Sequence, residues 1–170
     1  MTREQIRAAG RAVLRLLGEY RGYAVRRNER GLDAVFYAYL RGAAYSASRQ
    51  HRVWMYGSSR PQRIDFRIGG NPRSVIELAV RPPDGRYELG AESNHAELKK
   101  LARVKQGEAH MRYLLLIDQS ARRGPIPRAD LKAEYDLMNA GRGHFTRNPV
   151  RVVYAHAEDE YDFHWSPWAG

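Results

Sequence analysis

The chain has no cysteine, no long apolar run and only four lysines among its 29 basic residues. The missing cysteine excludes a disulfide framework, thiolate-held zinc, an iron–sulfur cluster and a thiol nucleophile. No segment approaches the ~18 apolar residues that a membrane-spanning helix needs, so no membrane partner is expected. The opening residues alternate arginine with small and apolar types, unlike a signal peptide. A soluble cytoplasmic protein is the default expectation. Common catalytic and nucleotide motifs are missing too: no GxxxxGK[ST], no GxGxxG between a strand and a helix, no HExxH and no GxSxG. The six histidines are scattered and form no close helical pair. Only His156 and His164 could meet, across a final hairpin.

What is present suits one domain. The 170 residues are 43% hydrophobic, enough for a sizeable core. The formal net charge is +10, and 25 of the 29 basic residues are arginine. The excess is uneven. Residues 1–60 carry 12 arginines against four acids, a net of +8, and the remainder is nearly balanced at +2. Arginine's planar fork grips phosphate oxygens in pairs, so a clustered excess suits nucleic acid. A GC-rich coding sequence would give the same bias without that function.

Hydrophobic spacing predicts a helix over about 3–20, with Thr2 as its cap and Arg3, Arg7, Arg11 and Arg15 as one stripe. Such a stripe either faces phosphate or is a solvated helix face. A loop holding Arg26 and Arg27 follows, then a helix over about 29–47 in which Gly42-Ala43-Ala44 allow close packing. The period then drops to two. Strands are predicted at 51–56, 63–68 and 74–81, with Ile64, Phe66 and Ile68 on one face of the second. A helix follows over about 93–105, with Ser93 or Asn94 as cap and Leu98, Leu101, Ala102 and the Lys105 stem on one face. The run Tyr113–Asp118 reads as a central strand buried on both sides. A helix over 127–139, closed by Gly141, and a hairpin of 149–156 with 161–165 complete the chain. The aromatic end (Tyr161, Phe163, Trp165, Trp168) packs on the core, stacks bases or forms a dimer surface. The fold class is mixed α/β (α+β with a mixed sheet). It is read as one domain over 1–170, with basic helices at about 1–48, a sheet core at 49–118 and a C-terminal helix and hairpin at 119–170.

Two acids interrupt the apolar strands. Asp65 lies within Arg63-Ile64-Asp65-Phe66, and Glu77 within Val75-Ile76-Glu77-Leu78-Ala79-Val80. A short Gly69-Gly70 turn makes these strands neighbours. Glu77 shares a face with Val75 and Ala79. Half-buried carboxylates are costly unless paired. Each acid could pair with Arg63, Arg67 or Arg81, or the two could share a divalent ion.

This segment resembles the core of the PD-(D/E)XK nuclease superfamily, which has the restriction-endonuclease-like fold. An acid on one strand, a turn and Ile-Glu-x-x on the next carry the resemblance. The element order, helix, three strands, helix and strand over about 29–118, matches as well. It implies a metal-dependent nuclease, endonuclease or exonuclease, that hydrolyses phosphodiester bonds of DNA or RNA. Asp65 and Glu77 would hold Mg²⁺ or Mn²⁺, with Glu29 as a further ligand. The family's lysine two residues after the second acid is replaced by Ala79. Some members carry it on the next helix, which here holds Asn94, Glu97, Lys99 and Lys100. Lys100 is then the catalytic candidate, although helix geometry sets it ~200° around from Leu98. Arg81, on the same strand face as Glu77, is the other cation available. The implied partner is nucleic acid, DNA first, contacted by Arg7, Arg11, Arg15, Arg26, Arg27, Arg81, Asn94 and Lys99, in a monomer or homodimer. The charge division further suggests a basic wall, the N-terminal helices, beside the carboxylate site. The alternative is a nuclease-like fold that has lost catalysis and binds or regulates nucleic acid.

Overall fold

The computed structural model describes residues 1–19, 29–83, 89–120, 124–138 and 148–166. Arg26, Arg27, Gly141 and Trp168 lie outside the described residues, and so does the side chain of Glu29.

Two helices open the fold, α1 (Arg3–Glu19) and α2 (Glu29–Gly42). Thr2 and Gln5 cap α1 reciprocally. The Gln5 N–H donates to Thr2 Oγ1 at 3.3 Å and the Thr2 N–H donates to Gln5 Oε1 at 2.7 Å, which satisfies two donors left orphaned at the helix start. Three strands follow, β1 (Ala47–Val53), β2 (Gln62–Ile68) and β3 (Ser74–Arg81). Then come α3 (His95–Ala102), β4 (Met111–Asp118), α4 (Arg128–Leu137), β5 (Val150–Ala155) and β6 (Glu160–Trp165).

The six strands form one mixed sheet in sequence order. β1, β2 and β3 pair antiparallel, β3, β4 and β5 pair parallel, and β6 returns antiparallel to β5. The apolar run of β4 fills the central position, buried from Arg112 to Asp118. A strand covered on both faces has no need of alternation.

Each face has its own core. On one, Ile6, Val13, Leu32, Phe36 and Leu40 of α1 and α2 pack on Phe66, Ile76, Leu78, Leu115 and Ile117. Gly10 permits the close approach of α1, since a Cβ there would meet Ala155 Cβ at 3.0 Å. On the other, Leu98, Leu101 and Ala102 of α3 and Leu131 and Tyr135 of α4 pack on Val75, Ala79, Leu114, Val152 and Phe163.

Several expectations are corrected. The second helix stops at Gly42, not near 47. Gly42, Ala43 and Ala44 are exposed and form its exit turn, with Ala44 at φ 61°, so they are not a packing surface. Lys105 lies beyond α3 and sits 5.5 Å over the Trp54 ring, so its stem does not extend the helix face. Asn94 makes no side-chain cap hydrogen bond; its Nδ2 donates to Gly90 O at 2.9 Å and closes the preceding turn. Ile64, Phe66 and Ile68 are buried in alternation along β2, but Ile64 does not serve the same core as the other two. It joins the core under α3, and they join the core under α2. Gln50, opposite Asp65 between the pairs Arg49↔Phe66 and His51↔Ile64, has φ 48°. A left-handed residue breaks the pleat, so the hairpin changes the face it presents midway along. His156 and His164 do not meet, because the register sets His164 opposite Arg151.

Candidate active site

Asp65 and Glu77 meet where β2 and β3 part. Their ladder covers Phe66↔Ile76 to Ile68↔Ser74 and stops there, although both strands continue. Beyond it the Asp65 side chain takes the place of the missing rung, with Oδ2 accepting the Leu78 N–H at 2.9 Å. Asp65 Oδ1 accepts Gln50 Nε2 at 3.1 Å. The segment that follows β1 is tied to the exit of α3. The Tyr56 N–H donates to Arg103 O at 2.8 Å, the Lys105 N–H to Trp54 O at 3.0 Å, and Met55 bridges Val104.

Glu77 lies in this gap, on the α3 side with Val75 and Ala79, and is 2% exposed. Lys100 Nζ stands 2.5 Å from Glu77 Oε1, with its side chain 27% exposed. The helical angle is overcome by the side chain, whose four-carbon stem carries the ammonium back over α3 to the sheet. Burial is the first cause that raises the Glu77 carboxyl, to a pKa of about 9. The neighbouring Asp65 charge and the hydrogen bond they share raise it further, and Lys100 opposes both. Glu77 therefore keeps its proton well above the ordinary carboxyl range, and a cation brought to the pair would displace that proton.

Arg81 is not the cation at Glu77. It is buried at the end of β3, and its guanidinium forks onto Asp118, with Nε 2.8 Å from Oδ1 and Nη2 on Oδ2. Asp118 also accepts Tyr154 OH at 2.6 Å and Ser120 Oγ at 2.8 Å, a closed buried network. Neither Arg63 nor Arg67 joins an ion pair to the two acids among the described residues.

The arginine stripe of α1 packs elsewhere. Arg3 Nε lies 2.7 Å from Asp162 Oδ1, Arg7 Nη2 lies 2.9 Å from Glu160 Oε1, and Arg11 pairs with the same Glu160. α1 covers the sheet face opposite Glu77 and its stripe is answered by acids of β6, so it is not a wall beside the carboxylates. Arg15 is exposed, Asn94 is buried and Lys99 is half-buried. Glu29 opens α2.

Two features escape sequence reasoning. One is Gln50, since nothing in a glutamine announces a left-handed residue that aims its amide at Asp65. The other is the like-charge pair Arg52↔Arg63, in register across the hairpin, each two residues along from Gln50 or Asp65. With Arg60 they line a shallow cleft of ≈ 350 Å³, and all three are exposed. Like charges opposed across strands are unfavourable without an anion between them. The arginines are plain in the sequence; only the register brings them together.

Among the described residues, no three His, Cys, Asp or Glu side chains converge on a common point. No helix there is long and apolar enough to cross a membrane. No protein-family model, curated protein or solved structure matches the chain significantly.

Proposed function

We propose that this chain is a metal-dependent nuclease on a restriction-endonuclease-like core, cutting phosphodiester bonds of nucleic acid, DNA first. One observation carries the reading: the Lys100 ammonium, 2.5 Å from Glu77, supplies from α3 the cation that Ala79 does not provide on β3. The order of α2, β1–β3, α3 and β4, with β4 parallel to β3, supports the proposed core.

Asp65 and Glu77 suit a hard divalent cation such as Mg²⁺ or Mn²⁺. They are neighbouring carboxyls, one of them buried and ready to ionise onto a cation, and Mg²⁺ commonly takes one or two carboxylates and completes its shell with water and phosphate oxygens. Such an ion would supply Lewis-acid stabilisation of the phosphate and a more acidic water. The chain's own groups set the geometry around it. The Leu78 N–H and the Gln50 amide fix both Asp65 oxygens. Lys100 offers a positive donor to charge that develops at the scissile phosphate. Arg52, Arg60 and Arg63 are placed to hold flanking phosphates.

The test is direct. With Mg²⁺ or Mn²⁺ the protein should cut at least one of single- or double-stranded DNA or RNA. Asp65→Asn and Glu77→Gln should abolish cutting while the circular dichroism spectrum stays unchanged. Lys100→Met should slow single-turnover cleavage by about 10²–10³, the range for loss of one charge-stabilising donor. Failure to cut all four substrates in both metals would overturn the enzyme reading. A second reading is a nucleic-acid-binding module without catalysis, favoured by the close approach of Lys100 Nζ to Glu77 Oε1. It predicts affinity that falls steeply with salt and no cleavage.

A further inference from the structure

A second cationic site lies away from Asp65 and Glu77, at the N-terminal ends of β4 and β5. A cleft of ≈ 580 Å³ there is lined by Arg73, His110, Arg112, Arg151 and His164, with no acid among the described residues that line it. Arg112 is its base. The residue is 5% exposed, and its Nη2 donates to Val104 O at 2.9 Å. Its Nε is buried with no hydrogen-bond partner, and no carboxylate pairs with it among the described residues. Buried arginines are ordinarily paired, because an uncompensated charge away from water is costly. Burial accordingly lowers the Arg112 pKa to about 10.

Arg151 repeats the pattern. Its Nη1 pairs with Asp162 and its Nη2 lies 2.5 Å from His164 Nε2, while its Nε is buried without a partner. Asp162 answers Arg3 as well as Arg151, so this acid serves two cations. His110 accepts the Arg73 N–H at Nδ1, 3.3 Å, which leaves Nε2 to carry the proton of the neutral ring. The cleft thus combines buried guanidinium N–H groups and further cationic or donor side chains, with Asp162 shared between Arg151 and Arg3 and no carboxylate on Arg112 among the described residues.

We infer that this cleft binds a tetrahedral oxyanion, the phosphate group of a phosphomonoester or of a nucleic-acid strand, with Arg112 as its buried anchor. Guanidinium forks match phosphate oxygens in pairs, and a desolvated one gains most from a charged partner. The inference does not rest on the nuclease reading, since none of the proposed catalytic groups lines the cleft. Arg112 also braces the exit of α3 through Val104 O, and a purely structural arginine would do only that.

The experiment titrates inorganic phosphate into the full chain at constant ionic strength, with chloride as the control. The His110 and His164 imidazole resonances and the melting temperature are followed. Saturable shifts and a rise in melting temperature specific to phosphate are expected. Arg112→Met should abolish them. Arg73→Met, which touches no buried contact of Arg112, should fold normally and weaken phosphate about tenfold, as expected for one lost charge-assisted contact. No saturable, phosphate-specific change in wild type, or one that survives both substitutions, overturns the inference. Two further probes assign the source. Preference for a 5′-phosphorylated oligonucleotide over its hydroxyl-ended twin supports a strand end. Binding of adenosine monophosphate with no preference between the oligonucleotides supports a small phosphomonoester.

Discussion

Removing the titrating group at Glu77 should flatten the pH dependence of stability. In the folded chain the carboxyl titrates near pH 9, and in the unfolded chain near its ordinary value of 4.5. Between these values the native state holds one more proton than the unfolded state. Stability is therefore complete at the acid end of the window and is lost as pH rises through it. The slope for one proton is about 1.4 kcal/mol per pH unit, so about 3 kcal/mol separates pH 6 from pH 8. Glu77 is 2% exposed, so solvent screening does not dilute the effect. The assay is urea denaturation of wild type and Glu77→Gln at several pH values without divalent ions, read as the difference between the two. The subtraction matters because His51 and His164 act in the opposite sense. Burial, and then a nearby arginine, lowers both, so they contribute stability that is lost as pH falls. Parallel curves for the two proteins would refute the claim that the native site retains a proton.

Two further outcomes follow from packing. Tyr154→Phe removes the hydroxyl that donates to buried Asp118 at 2.6 Å; it should cost about 1–3 kcal/mol in urea denaturation, with the loss concentrated at neutral pH where Asp118 is charged. Gly10→Ala puts a methyl 3.0 Å from Ala155 Cβ, so it should lower stability by about 1–3 kcal/mol despite alanine's better helix propensity, with a lower melting temperature as the readout.

The parts of this fold legible from sequence are those governed by short-range pattern. β3 and β4 are marked by unbroken apolar runs, and α1 by its spacing and the Thr2 cap. Neighbouring strands joined by a tight turn bring Asp65 and Glu77 together, so the acid pair was legible too. Long-range partners were not. The α1 stripe meets Glu160 and Asp162, some 150 residues downstream, and a periodicity has no means of naming them. Strand face alone sets Arg81 beside Glu77 and is blind to Asp118 on the adjacent strand. Lys100 stands at an unpromising helical angle, but an angle locates a Cβ and not the end of a flexible chain. Alternation along β2 marks Ile64 as buried with Phe66 and Ile68, but it is silent on which of the two cores each enters.

The acids sit where the β2–β3 ladder ends, and beyond it Asp65 stands in for the next rung by accepting the Leu78 N–H. Burial first, and then Asp65, keeps a proton on Glu77. A cation that enters between the two acids has to displace that proton. Metal occupancy should therefore release a proton to solvent and tighten as pH rises toward the Glu77 value.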